Sequence, residues 1–252
     1  MTYLSRVRLN PLRIKSREFL RNPRTLHAAV LGGLPEHPAD RVLWRLDARE
    51  HRIDLIVLTP ARPDWTHLVE QAGWPDADGE HVLVRDYAPA LGHLASGREF
   101  AFRLTANPVQ ATMAPDKRTE SQRERYGDTR PPRGFRVAHR TTAHQLDWLL
   151  RRADKLGFTI PPSRTDTAAP GMTTTSAATV QHEVRVVGAA RYNFPKKGLH
   201  KPVTMQAITF EGRLAVTDPD RLRTTMLSGV GPNKAYGCGL LTLAPLPRSG
   251  DA

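Results

Sequence analysis

The stretch of this chain with the most chemical content is GVGPNKAYGCGLL, from Gly229 to Leu241. Glycines at Gly229, Gly231, Gly237 and Gly239 let the backbone turn sharply and come close to another chain, and Lys234 sets a positive charge among them. Two familiar nucleotide-binding loops are excluded. Lys234 stands where a dinucleotide fingerprint needs its third glycine. No glycine is followed by Lys and then Ser or Thr, as a Walker loop requires. Composition alone leaves two readings equally open, a grip on a phosphate backbone and a plain flexible turn.

Two further clusters carry positive charge with aromatic residues interleaved. In the first, Lys117, Arg118, Arg123, Arg125, Arg130, Arg133, Arg136 and Arg140 surround Tyr126 and Phe135. In the second, Arg191, Lys196, Lys197, His200 and Lys201 follow one another beside Tyr192 and Phe194, between two candidate strands, as the tip of a basic hairpin would. Such sets suit RNA, where shape, phosphate and 2′-hydroxyl contacts dominate because the deep groove of an A-form helix hides the base edges. Metal or cofactor chemistry has little to build on, and neither is expected. Cys238 is the single cysteine, and histidines such as His51, His67, His81 and His93 are dispersed without an H-x-x-x-H pair.

The whole chain points the same way. Its 252 residues carry 37 Lys and Arg against 25 Asp and Glu, a formal charge of +12. Residues 1–100 are nearly balanced at +1 and residues 101–252 hold +11. The first 24 residues alone hold +6. A polyanion, nucleic acid first, is the partner class this charge favours. No apolar run approaches the ~20 residues of a membrane span, the N-terminus lacks the apolar core of a signal peptide, and a lone cysteine fits a reducing compartment. A cytoplasmic protein without membrane contact is the expectation.

The elements that must position these residues follow a repeated order. Tyr3 to Leu9 alternates as a strand does. Asn22 and Pro23 open a helix that Gly32 and Gly33 close. Val42 to Asp47 and Ile53 to Thr59 are strands, Asp64 caps a helix running to about Gln71, and Val82 to Tyr87 is a fourth strand. This β-α-β-β-α-β order is the ferredoxin-like pattern. After a break near Ala90 to Gly97 it recurs: a strand at Glu99 to Ala106, a helix from about Ala143 to Leu156 capped by Thr142, strands at Thr179 to Arg191 and Thr204 to Thr217, a helix opened by Asp218 and Pro219, and a strand at Leu240 to Ala244. The prediction is an α+β protein of two tandem ferredoxin-like (RRM-like) domains, residues 1–95 and 96–252, each an antiparallel sheet with two helices. Pro115 to Gly134 and Ser163 to Thr175 fit neither copy and read as loops.

Taken together, the G-x-G-x-x-K-A-[FY]-G-x-G-L loop, the opening MTYLSRVRLN, the Leu26-His27 pair, LWRLD at Leu43 to Asp47, PDW at Pro63 to Trp65, HQLDWLLRRADKLGF at His144 to Phe158 and GRLAVTDPDRL at Gly212 to Leu222 resemble the CasE-type CRISPR precursor endoribonucleases, the RNA-processing subunit of Cascade. The resemblance runs in order over nearly the whole chain. It implies an enzyme that binds and cuts a CRISPR repeat hairpin without metal, leaves a 2′,3′-cyclic phosphate, stays on the product and sits among other Cascade subunits. It also implies a role for His27, whose place after Leu26 matches the family's active-site histidine. An imidazole of ordinary pKa can take a proton from a ribose 2′-hydroxyl at neutral pH. Many relatives have a tyrosine three residues earlier, where this chain has Arg24. Positions i and i+3 share a helix face, so Arg24 could stabilise phosphorane-like charge, though it cannot donate a proton as a phenol does. This departure keeps a second reading alive, a non-catalytic RNA-hairpin-binding subunit. By the same resemblance the basic hairpin (Arg191, Lys196, Lys197, His200, Lys201) would contact the RNA stem, while Arg133 and Arg136 in the basic run and the glycine-rich loop are candidate RNA grips by their residue types.

Overall fold

The structure, a computed structural model, describes residues 2–35, 41–49, 52–75, 79–112, 120, 123, 135–163, 181–195 and 202–246. Nearly all of the two segments expected to be loops, and Arg133, Lys196, Lys197, His200 and Lys201, lie outside them.

The N-terminal half forms β1 (Tyr3–Leu9), α1 (Ile14–Arg21), α2 (Pro23–Leu31), β2 (Leu43–Arg49), β3 (Arg52–Thr59), α3 (Thr66–Ala72) and β4 (Val82–Asp86), followed by a short α4 (Ala88–Gly92). Its sheet has the antiparallel order β2-β3-β1-β4, with Tyr3 opposite Thr59 on one side and Asp86 on the other. The C-terminal half forms β5 (Glu99–Ala106), a hairpin of β6 (Val109–Thr112) and β7 (Phe135–Ala138), α5 (Thr142–Ala153), β8 (Phe158–Thr159), β9 (Val184–Phe194), β10 (Val203–Val216), α6 (Pro219–Ser228) and β11 (Leu241–Ala244). Here β11, β5 and β10 lie side by side, with β9 and then the short β8 along the outer edge of β10. Counting the four main strands of each half, both sheets have the order 4-1-3-2 of a ferredoxin-like fold. The predicted tandem repeat is therefore the architecture.

Several boundaries differ from expectation for local reasons. Helix α1 was not predicted: it is basic, and Ser16 and Phe19 are its only fully buried residues, so its pattern is too sparse to announce a helix. Helix α5 is capped by Thr141, whose hydroxyl oxygen accepts the His144 amide, rather than by Thr142. It ends at Ala153, and a 3-10 turn at Asp154–Leu156 leads to Gly157 in the left-handed region at φ 87°. Strand β9 starts at Val184 and reaches Phe194, later at both ends than the alternation indicated. The expected break after β4 begins with α4, and an Asp86 carboxylate oxygen accepts the Ala88 amide just ahead of it.

The two halves share a core. Leu43, Leu58, Tyr87, Leu91 and Leu94 pack with Phe102, Leu104, Trp148, Phe210 and Leu240, whereas Trp44 turns the other way into a core with Phe19, Leu26 and Leu55. Strand β2 thus serves both halves through its alternation. Arg45, only 3% exposed, is the polar tie. Its guanidinium donates to the Asp47 carboxylate (2.7 and 2.9 Å), to the carbonyls of Arg103 (3.0 Å) and Leu240 (3.1 Å) and to the Thr242 hydroxyl (3.0 Å). Every partner beyond Asp47 belongs to β5, to β11 or to the residue just before β11.

Candidate active site

His27 lies on α2, where Pro23, Leu26 and Val30 point inward at helical spacing. Asn22 starts this helix by accepting the amides of Arg24 (3.1 Å) and Thr25 (3.4 Å). With Leu26 fixed in the core, the next side chain is rotated about 100° around the helix, which leaves His27 half-buried at the edge of the packed face. There the Trp44 indole N–H donates to its Nδ1 at 3.3 Å. A neutral imidazole that accepts at Nδ1 carries its own proton on Nε2. Burial pulls the His27 pKa below its ordinary 6.5, and the positive charge of Arg41 adds to the effect. The ring is therefore held neutral at physiological pH.

Packed against α2 and β2 is the glycine-rich loop, centred on a 3-10 turn at Lys234–Tyr236. It joins α6 to β11, as the sequence indicates. Its four glycines, at Gly229, Gly231, Gly237 and Gly239, have φ between 76° and 97°, and Asn233 joins them at 61°. Their close approaches begin within the protein itself. A Cβ at Gly237 would stand 2.6 Å from the Trp44 ring, and one at Gly231 3.1 Å from the Trp148 ring. Trp44 thus connects loop and histidine, since Gly237 packs on its ring while its N–H reaches His27. On the other side, Tyr236 meets Phe194 of β9 edge to face at 4.9 Å. Cys238 is buried beside Phe194 and Met205, its thiol pushed up to about 12 and so inert.

Lys234 is half-buried, and its pKa is lowered first by burial and then by Arg41. Arg41 is exposed just ahead of β2, and its charge reaches both Lys234 and His27. Arg41 thus links His27 and Lys234 by its charge, and α2 packs on the turn that carries Lys234. Arg24 stands exposed in the first turn of α2. The guanidinium felt at His27 is that of Arg41.

Arg136 and Arg191 converge with Arg140 and the buried Asn107 along a groove of about 610 Å³ between the β6–β7 hairpin and the β9–β10 hairpin, with Asn233 of the glycine-rich loop at its margin. Trp148 holds the first hairpin in place by donating to the Val109 carbonyl at 3.1 Å. Three arginines, from both hairpins, make this groove cationic. Sequence reasoning missed Arg41 and Trp44. The first is one arginine among many, with no pattern around it. The second is a strand aromatic that would pass for core alone.

A family model described as "CRISPR associated protein" matches residues 2–245 of this chain. Among curated proteins the chain is similar to the CRISPR-associated endoribonuclease Cse3 of Thermus thermophilus, 32% identical over 249 residues that cover 96% of this chain and 100% of the relative. It is also 29% identical to the CRISPR system Cascade subunit CasE of Escherichia coli K12, over 81% of this chain and 94% of the relative. The structure of Thermus thermophilus Cse3 bound to an RNA representing a pre-cleavage complex superposes with a TM-score of 0.67 at 29% identity, covering 97% of this chain and 99% of that one. With a matched model spanning nearly its full length and a curated relative matched end to end, the chain belongs to the CasE/Cse3 family of CRISPR-associated proteins.

Proposed function

We propose that this protein binds the repeat hairpin of a CRISPR precursor RNA, cuts it, and remains on the mature guide RNA within a Cascade-like complex. Residues 1–95 would carry the cutting site and residues 96–252 most of the grip. Cutting needs no metal in this reading, because the nucleophile is already present in the RNA as the ribose 2′-hydroxyl. His27 takes that proton on Nε2, in the tautomer that carries the ring proton on Nδ1 and has released the Trp44 bond, the 2′-oxygen attacks the adjacent phosphorus, and the bond to the 5′-oxygen breaks. The leaving oxygen is protonated to a 5′-hydroxyl, and the other product ends in a 2′,3′-cyclic phosphate. Arg24 offsets charge on the phosphorane-like state. Arg136, Arg191, Lys196, Lys197, His200, Lys201 and Arg133 hold phosphates of the stem. Gly229, Gly231, Lys234, Gly237 and Gly239 form the ridge over which the strand passes.

The observation that carries this reading is the place of His27. It is a neutral, half-buried imidazole with a Trp44 bond fixing its ring, beside a loop whose lysine and neighbouring arginine have no carboxylate in ion-pair contact among the described residues. The test is to incubate a labelled repeat hairpin with the protein in excess chelator and map both ends. A cyclic phosphate and a 5′-hydroxyl are expected, and 2′-deoxy substitution at the cut should abolish cleavage while binding persists. Strict dependence on divalent ions, or cutting of the deoxy substrate, would point to water as the nucleophile.

A further inference from the structure

Consecutive residues of the glycine-rich loop face different clefts. Asn233 borders the groove of Arg136, Arg140 and Arg191, while Lys234 lines a second cleft of about 470 Å³ between the two halves of the molecule. The N-terminal half contributes Thr2, Arg41 and Thr59 to this second cleft, and the C-terminal half contributes Thr224, Ser228 and Lys234. The loop is thus a ridge between two cationic depressions, with α2 and His27 packed beside it.

Arg45, Arg103 and Arg213 pair with carboxylates within 3.1 Å, whereas Arg41 and Lys234 form no ion pair among the described residues and line one cleft, where the charge of Arg41 acts on Lys234. A half-buried lysine held beside a like charge weakens the folded state unless an anion arrives to offset it. Hydroxyls complete the lining. That of Thr224 donates its proton to the Asp220 carbonyl at 2.9 Å, which leaves oxygen lone pairs free to accept from a ribose 2′-hydroxyl.

We propose that this second cleft binds the single-stranded RNA segment on the far side of the cut from the stem, with Arg41 and Lys234 on its phosphates. The assignment rests on the RNA-cutting reading above and gives it a path: stem in the arginine groove, strand over the ridge past His27, flank in the cleft. Uncut RNA then touches both depressions and the retained product only one. Cutting therefore frees the flank without loosening the stem.

The test compares the wild type with an Arg41→Gln variant on two RNAs. One is the repeat hairpin with its flanks and a 2′-deoxy at the cut, and the other is the same hairpin ending at the cut. The variant should bind the flanked RNA several-fold more weakly at about 0.1 M salt, with a salt slope shallower by about 0.7, the value for one single-strand phosphate contact. Its binding of the shortened hairpin should equal that of the wild type, which also controls for folding. Equal weakening on both RNAs would assign this charge to the stem and overturn the proposal, as would no change on either. Failure of the wild type to bind either hairpin would overturn the RNA reading itself, and this assignment with it.

Discussion

At the scale of single residues, the chemistry turns on how His27 is held. Burial and Arg41 lower its pKa, and proton transfer from RNA needs the neutral ring. The cleavage rate should therefore be flat near neutral pH and fall in acid, with a midpoint below the ordinary histidine value of about 6.5. Arg41→Gln should move that midpoint upward, because one of the two depressing influences is gone. A rate that falls as pH rises through neutrality would assign an acid role to the imidazolium instead. Trp44 poses a sharper question. Its bond to Nδ1 favours the form with the proton on Nε2, whereas a base working at Nε2 needs that proton on Nδ1. Trp44→Phe keeps a ring against Gly237 and removes the N–H. If His27 is the base at Nε2, this variant should cleave at least as fast as the wild type once corrected for folded fraction. If Nε2–H acts as a donor to the phosphate, it should cleave several-fold more slowly, and single-turnover rates decide. His27 was legible in the sequence only through its place beside Leu26 in a recognisable family pattern. Arg41 and Trp44 were not, because what matters in each is its distance to His27 across separate elements.

At the scale of elements, the glycine-rich loop does more than the turn its composition announces. Its positive φ values were foreseeable from four glycines in eleven residues, whereas the tryptophans against which it packs belong to distant elements, β2 and α5. Gly237→Val is therefore expected to act on stability and activity together. The side chain would sit in the left-handed region at φ 81° and collide with the Trp44 ring, costing about 2 kcal/mol or more in urea unfolding. The folded fraction should also cut more slowly, because Trp44 is the link to His27. Unchanged cutting by the folded fraction would separate loop from histidine. The strands and capped helices were the most legible parts of the chain: β1 and β5 match their predicted bounds, and α6 begins at the Pro219 that Asp218 announces. Helix α1 and the β6–β7 hairpin were not legible. The first buries little, and the second forms by pairing Val109–Thr112 with Phe135–Ala138 across a long sequence separation, which local pattern cannot reveal.

At the scale of the whole molecule, the site exists only because the two halves share a core, with His27 and Arg41 from one and Lys234 from the other. Arg45 should be critical to that union. Arg45→Ala would leave the Asp47 carboxylate and two carbonyls without their buried donor, a loss of about 3 kcal/mol that equilibrium denaturation can measure. A change below ~1 kcal/mol would mean that the shared apolar core carries the union alone. Sequence indicated the repeat of the fold but not this docking, since nothing local marks one arginine of LWRLD as buried. The most direct measurement of the central claim is single-turnover cleavage of the repeat hairpin in excess chelator by wild type and His27→Ala, with hairpin affinity measured beside it. A rate lowered by about 10² to 10⁴ with affinity nearly unchanged is the expected result. A wild type that binds the hairpin tightly yet never cuts it, and that His27→Ala matches in every respect, would contradict it and leave a non-catalytic RNA-binding subunit.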